Sequence, residues 1–180
     1  GVNMALSTIG TNSIADSAIT TAKSTIINEV DSWRVTTNFA NSSNGSSELV
    51  SANWERADTD FDKFGTGLSE SSGIFTFPST GLYLVNCVAS YYPGGANSGV
   101  ELQIRVTTNN STYNTRAIAL SGAAGADRPE AVSANMCIDC TSTTNTKFAI
   151  YTAGTTTSNF WRAATDRQQL GFTCIRLGDT

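Results

Sequence analysis

From residue 99 to residue 108 the chain alternates without a break, with Val100, Leu102, Ile104 and Val106 on one side and Glu101, Gln103, Arg105 and Thr107 on the other. A period of two predicts a half-buried antiparallel strand. Residues 131–141 repeat the pattern: Val132, Ala134, Met136, Ile138 and Cys140 point one way, Ser133, Asn135, Cys137 and Asp139 the other. Residues 32–40 are rich in β-branched and aromatic side chains and stop in the run N-S-S-N-G-S-S, which has the composition of a flexible loop. Shorter apolar runs at residues 73–77, 81–92, 115–120, 147–152 and 170–177 complete the set. Strand after strand, separated by Gly, Asn and Ser turns and with no convincing amphipathic helix, predicts an all-β sandwich or barrel.

The first thirty residues break this pattern. Ile9, Ile14 and Ile19 stand five apart, a spacing that matches neither the 3.6 period of a helix nor the 2 period of a strand. Residues 1–31 are therefore set apart from residues 32–180, which hold the strand pattern; the resemblances given below imply a stem or anchor segment for the first and a head for the second. A chain of 180 residues suffices for one core plus such an appendage.

Charged residues make up 14% of the chain, against about 25% in an average soluble protein. A formal charge of −4 offers no basic stripe for phosphates, which argues against nucleic-acid binding. No apolar run approaches the roughly 20 residues that span a bilayer, so membrane insertion is not expected. The chain begins at Gly1 rather than Met, and the missing signal sequence decides nothing.

At residues 73–85 the segment G-I-F-T-F-P-S-T-G-L-Y-L-V, preceded by D-F-D-K-F-G-T-G and followed far downstream by L-G-F-T-C-I-R-L, resembles the globular heads of the complement C1q and tumour necrosis factor family. The physics of the motif is legible: Pro78 fixes φ, Gly81 permits the turn, and Phe75, Phe77, Tyr83 and Val85 supply core. The likeness covers residues 32–178 and is strongest over 54–92; no collagen-like Gly-x-y repeat precedes it. It implies a ten-strand jelly roll that assembles as a homotrimer, with the connections at residues 93–98, 121–130 and 154–168 gathered at the end opposite the N-terminus. Those connections and the strand ends beside them hold Tyr92, Arg128, Phe160, Trp161, Arg162, Asp166 and Arg167, together with Tyr91 and Asp127. Trp, Tyr and Arg dominate binding hot spots, which makes these distal residues the candidate ligand surface. The competing reading is that Phe160 and Trp161 pin a long loop or pack between protomers.

Cys137 and Cys140 form C-I-D-C, but alternation places them on opposite faces of a strand, and the chain has no His to complete a mixed metal site. Metal and redox roles are not expected. On the implied topology the strands of Cys87, Cys140 and Cys174 are neighbours in one sheet; the thiols then read as small apolar fillers, with a bridge from Cys87 to Cys140 or Cys174 the lesser alternative.

Asp58, Asp60 and Asp62 have the spacing of a calcium loop, yet Lys63 stands where an EF-hand needs Gly and Ser69 where it needs Glu. The EF-hand is excluded, while a different calcium site through these acids or Asp127 stays open; no other cofactor is expected. Without His no Ser-His-Asp or Cys-His relay can be built, and nothing in the sequence brings Glu101 and Glu130 together, so an enzyme is not expected. The four Asn-x-Ser/Thr sequons at Asn41, Asn44, Asn109 and Asn110 arise readily in a chain this rich in Asn, Ser and Thr and decide nothing about origin.

Residues 12–24, N-S-I-A-D-S-A-I-T-T-A-K-S, resemble the short repeats in the stalks of bacteriophage tail and capsid fibres. Three copies could each turn Ile9, Ile14 and Ile19 toward a shared axis; a disordered linker is the alternative. The resemblances together imply a non-enzymatic virion surface protein, a homotrimeric fibre or appendage. Its stem would join other virion proteins, and its head would contact a glycan or protein of the host surface. The other readings are a structural or decoration protein of the particle, and a secreted C1q-like recognition or adhesion protein.

Overall fold

The computed structural model describes residues 27–58, 61–93, 99–122, 127–154 and 159–180. Of the expected stem, residues 1–26, with Ile9, Ile14 and Ile19, lie outside the described residues. What is described is all β, in two antiparallel sheets.

The first sheet takes β1 (Val30–Val35), β3 (Trp54–Arg56), β4 (Lys63–Phe64), β7 (Gly81–Pro93), β10 (Glu130–Cys140), β12 (Asn159–Trp161) and β13 (Leu170–Gly178). Its order is β10-β7-β13-β1-β3, with β12 beside the end of β7 and β4 beside the start of β1. The second takes β2 (Glu48–Leu49), β5 (Ser69–Ser71), β6 (Ile74–Thr76), β8 (Val100–Thr107), β9 (Asn114–Ser121) and β11 (Lys147–Ala153), in the order β5-β6-β11-β8-β9 with β2 beside β11. The described strands exceed the ten implied by the resemblance because β2, β4 and β12 are short ladders off the main path of each sheet.

Alternation decides what is buried. In β10, Val132, Ala134, Ile138 and Cys140 are buried while Ser133, Asn135, Cys137 and Asp139 are exposed, as the pattern predicts. In β8 the apolar face is buried as expected, but Gln103 and Thr107 on its other face are buried too. The reason for Gln103 is a polar cover: its Nε2 donates to Ser47 Oγ at 2.8 Å and to Glu101 at 2.7 Å, and its Oε1 accepts from Arg105 and Thr115.

The motif that carried the family resemblance is the centre of the core. Phe75, Phe77, Tyr83 and Val85 are each no more than 2% exposed, and Phe75 lies edge-on to Phe172 at 4.6 Å and stacked on Phe148 at 5.2 Å. Each such ring, taken out of water, contributes roughly 1.5–3 kcal/mol. Gly81 is required twice over: its φ is +141°, and a Cβ there would lie 2.6 Å from the Gly178 carbonyl of the adjoining strand.

The polar run at residues 41–47 is tied down, contrary to its composition. Asn41 is buried and donates to the Thr152 carbonyl at 2.8 Å, and the Glu48 carboxylate accepts from the Ser42 and Ser43 amides at 2.8 and 2.7 Å. Asn41 is thereby unsuited to carry a glycan. The strand expected from residue 32 starts at Val30 and ends at Val35. Its start is clamped: Glu29 accepts from the Thr66 and Gly67 amides, each at 2.8 Å, and buried Asp31 accepts from Leu68 N at 2.7 Å, Trp33 Nε1 at 3.0 Å and Arg56 Nε at 2.8 Å.

Candidate functional site

Strand β7 runs the length of the sandwich and sets up its two ends. Near its start, Leu84 pairs with Ile175, which pairs in turn with Val30, so the beginning of β1 and the end of β13 share one base. At its far end Tyr91, Tyr92 and Pro93 pair with Trp161, Phe160 and Asn159 of β12, Glu130 of β10 faces Tyr91, and Asp127 N donates to the Pro93 carbonyl at 2.7 Å. The described residues that flank the three connections, Pro93, Asp127, Glu130 and Asn159–Trp161, therefore meet at the end away from the start of β1.

Period-two geometry then sorts the candidates. Odd residues of β7 face the core, so Tyr91 and its partner Trp161 turn inward while Tyr92 and Phe160 turn outward. Trp161 is 0% exposed, lies edge-on to Tyr91 at 4.9 Å and donates from Nε1 to Asn41 Oδ1 at 2.8 Å. It is a core residue and not part of a ligand surface, the correction the structure makes most plainly. Phe160 and Tyr92, half-buried, stack on each other with centroids 5.1 Å apart and planes at 26°. The Tyr92 hydroxyl donates to Asp127, whose carboxylate pushes that hydroxyl up from its ordinary value of 10 against the opposing charge of Arg162. Asp127 has φ +60°, which Asp tolerates better than most residues, and this backbone turn aims its carboxylate at the ring. Half-buried Arg162 donates its backbone amide to the Ser90 carbonyl at 2.8 Å, and Arg128 is exposed beside Asp127. The structure thus groups Tyr92, Phe160, Asp127 and Arg162 in one aromatic and charged patch.

Asp166 and Arg167 are placed elsewhere. They pair with each other at 2.8 Å in the open and border a shallow hollow of about 200 Å³ beside Ser32, Arg34 and Phe61. An exposed pair between neighbours in the chain contributes little. A hollow of about 170 Å³ lies at the distal end of the second sheet, between Gly45, Gly99, Glu101, Leu120 and Gly154.

The calcium candidates are dispersed among other partners. Asp58 accepts from buried Arg34 at 2.6 Å, Asp127 is engaged by Tyr92, and Asp60 lies outside the described residues. Among the described residues no three His, Cys, Asp or Glu side chains are grouped to hold a metal ion. The four thiols are free, and the register explains why no bridge forms: Cys87 faces Ala134 and Phe172, Cys174 faces Val85, and Cys140 faces Gly81. Burial holds the Cys87 and Cys174 thiols neutral. Glu101 and Glu130, the acids considered for hydrolysis, belong to different sheets. Asn41, Asp31 and Glu29, which hold the two ends of the head together, carried no signal in the sequence beyond being polar residues near strand ends.

No family model matches the chain, and no curated protein matches it. Among solved structures it is similar to murine APRIL, with a TM-score of 0.60 at 9% identity over 83% of this chain and 98% of that one. It is also similar to the Eiger TNF of S. frugiperda, with a TM-score of 0.57 at 13% identity over 84% of this chain and 93% of that one. At such identities the likeness establishes the fold, a jelly roll of the tumour necrosis factor and C1q kind.

Proposed function

We propose that the chain is a non-enzymatic, self-associating head on a virion surface: a homotrimeric fibre or appendage of the tail-fibre kind, joined through its N-terminal stem to other virion proteins and meeting the host surface with its distal end. The observation that carries this reading is the polarity of the sandwich. Both ends of the described chain lie at the base of β7, while the Tyr92, Phe160, Asp127 and Arg162 patch lies at the other end. A protein held at its base presents that patch outward, and three weak patches acting together gain avidity. An aromatic platform flanked by an acid and arginines suits a glycan or a protein epitope. The assignment to a virion rests on the fibre-like phrase at residues 12–24, and the homotrimer on the family resemblance.

Because Trp161 is core, the test replaces Phe160 and Arg162 by Ala together, a change that leaves the buried ring in place. Particles carrying the variant, with the oligomer intact by light scattering, are expected to adsorb to host cells at least about tenfold less well, in line with the loss of a hot spot. Unchanged adsorption would sink the receptor-tip reading.

A further inference from the structure

The outer face of the second sheet gathers cations in a chain whose formal charge is −4. Arg105 of β8 lies between Ala149 of β11 and Thr115 of β9, and Lys147 stands two residues along β11 from Ala149, on the same side of the strand. A β-bulge adds a third cation: Ile104 pairs with Ala117 but Arg105 with Thr115, so Arg116 is the extra residue, and it is exposed. Bulges re-aim side chains in this way. Arg34, Arg56, Arg167 and Arg176 each pair with a carboxylate, whereas among the described residues Arg105, Arg116 and Lys147 have none. The acid on this face of β8, Glu101, is four residues from Arg105 along the strand and is engaged by Gln103 Nε2 at 2.7 Å.

Arg105 is set in place before any ligand arrives. Its guanidinium lies over Tyr151, with Cζ 4.0 Å from the ring centroid, and its Nε donates to Gln103 Oε1 at 2.9 Å. Gln103 is buried and locked in turn, because Oε1 also accepts from Thr115 Oγ1 at 3.0 Å while Nε2 donates to Ser47 and Glu101. The stack fixes the plane and the amide holds the near nitrogen. What remains is the outer pair of Nη groups, and neither has an acceptor among the described residues. Such a fork matches the two oxygens of a carboxylate, and fixing it in advance removes an ordering cost from binding. Half-buried Tyr113 adds a hydroxyl donor at neutral pH, since burial and then Tyr151 raise it above its ordinary value of 10.

The occupant has to bring an anion to Arg105 and Lys147 and polar groups to the hydroxyls of Thr115 and Tyr113. A nucleic acid matches poorly: three cations make no stripe along a phosphate backbone, and Arg105 already covers a face of Tyr151 on which a base would stack. We propose that the surface around Arg105, Tyr151 and Lys147 is a binding site for an acidic sugar, a glycan whose carboxylate is held by the Arg105 fork and whose hydroxyls meet those of Thr115 and Tyr113. It belongs to the other sheet from the Tyr92 and Phe160 patch, so either site stands if the other fails.

The test is an NMR titration of the full chain with sodium glucuronate at constant ionic strength and neutral pH. Glucose, acetate and a tetraglutamate peptide serve as the comparison probes, and circular dichroism verifies the fold of each variant. Glucuronate is expected to bind with a Kd of about 1 mM, the scale of a small polar ligand, and to shift Arg105 Nε–H and the amides around residues 103–105, 115–116 and 147–151. Glucose and acetate, each lacking half of the recognition, should bind at least about tenfold more weakly. Arg105→Lys keeps the charge and loses the fork, and should weaken glucuronate at least about tenfold; Lys147→Gln should weaken it about threefold. Phe160→Ala with Arg162→Ala should leave the binding unchanged. Absence of shifts up to about 20 mM glucuronate overturns the site, and shifts confined to other residues, or wild-type affinity in Arg105→Lys, overturn the assignment to Arg105. Acetate or tetraglutamate bound as tightly as glucuronate overturns the assignment to a sugar.

Discussion

Replacing Asn41 by Ala removes one side chain and strands two buried groups, the Trp161 indole N–H and the Thr152 carbonyl, both now within 2.8 Å of the amide. Each buried group left without its partner costs about 1–3 kcal/mol. Trp161 and Thr152 are both 0% exposed, so relief by bulk water is limited and the loss should fall near 3 kcal/mol. For a chain of this length that corresponds to a drop in Tm of about 6–12 °C. Thermal unfolding followed by circular dichroism would measure it, at one fixed protein concentration because self-association couples Tm to concentration. Trp161→Phe removes the donor together with part of the buried indole, so its cost combines a void with part of the same loss. The Asn41→Ala and Trp161→Phe double variant should therefore be less damaged than the sum of the singles by about 1 kcal/mol. A loss below about 0.5 kcal/mol for Asn41→Ala, or strict additivity, would refute the view that this pair pins the polar 41–47 segment and β12 to the sandwich.

Asp31→Asn should cost about 3 kcal/mol in denaturant unfolding, since it removes a buried charge facing Arg56 at 2.8 Å while Trp33 Nε1 and Leu68 N lean on the same carboxylate. Glu48 is held below its ordinary value of 4.5 by the Ser42 amide and then the Ser43 amide. The sign follows: its contribution is present above pH 4.5 and is lost as the pH falls through the lowered folded value, so the protection factors of the Ser42 and Ser43 amides, taken relative to the intrinsic exchange rate at each pH, should fall on acidification from 4.5 downward, as they should in Glu48→Gln at neutral pH. Gly73→Ala should destabilise by more than about 1 kcal/mol in the same assay, because φ is +81° and the new Cβ would lie 2.3 Å from the Val50 carbonyl. Cys87 and Cys174, buried and held neutral, should react with a maleimide only as fast as the chain unfolds.

Where one strand carried enough residues for its period to be counted, the sequence was sufficient. The eight residues of β8 and the eleven of β10 could be laid face by face before any fold was known, and Gly81, Phe75 and Phe77 could be placed by turn chemistry and size. The three residues of β12 have no period of their own; they are a strand because Tyr91, Tyr92 and Pro93 lie alongside. Neighbours such as Phe160 and Trp161 therefore look like one aromatic cluster in the sequence, although on any strand they must face opposite ways. The same holds for Asn41. Its neighbours have a loop's composition, and only Thr152 and Trp161, more than a hundred residues distant in sequence, make it a buried staple.

This division between what is local and what is not has a consequence for the distal patch. Tyr92 and Phe160 lie on the same outward side of β7 as Leu84, Asn86 and Val88, so one continuous face runs along β7 to the aromatic pair. If copies of the chain meet over this face in a closed ring, the aromatic pairs of neighbouring copies are drawn together at the distal rim. Ligand contact and self-association then share an edge. Phe160→Ala alone separates the two contributions: a patch that only binds ligand leaves the oligomer's dissociation unchanged, whereas a rim that also helps close the ring shows a dissociation constant raised by about tenfold, the scale of one truncated interface aromatic. Measuring that constant before adsorption shows whether an adsorption defect belongs to the ligand surface or to the ring that presents it.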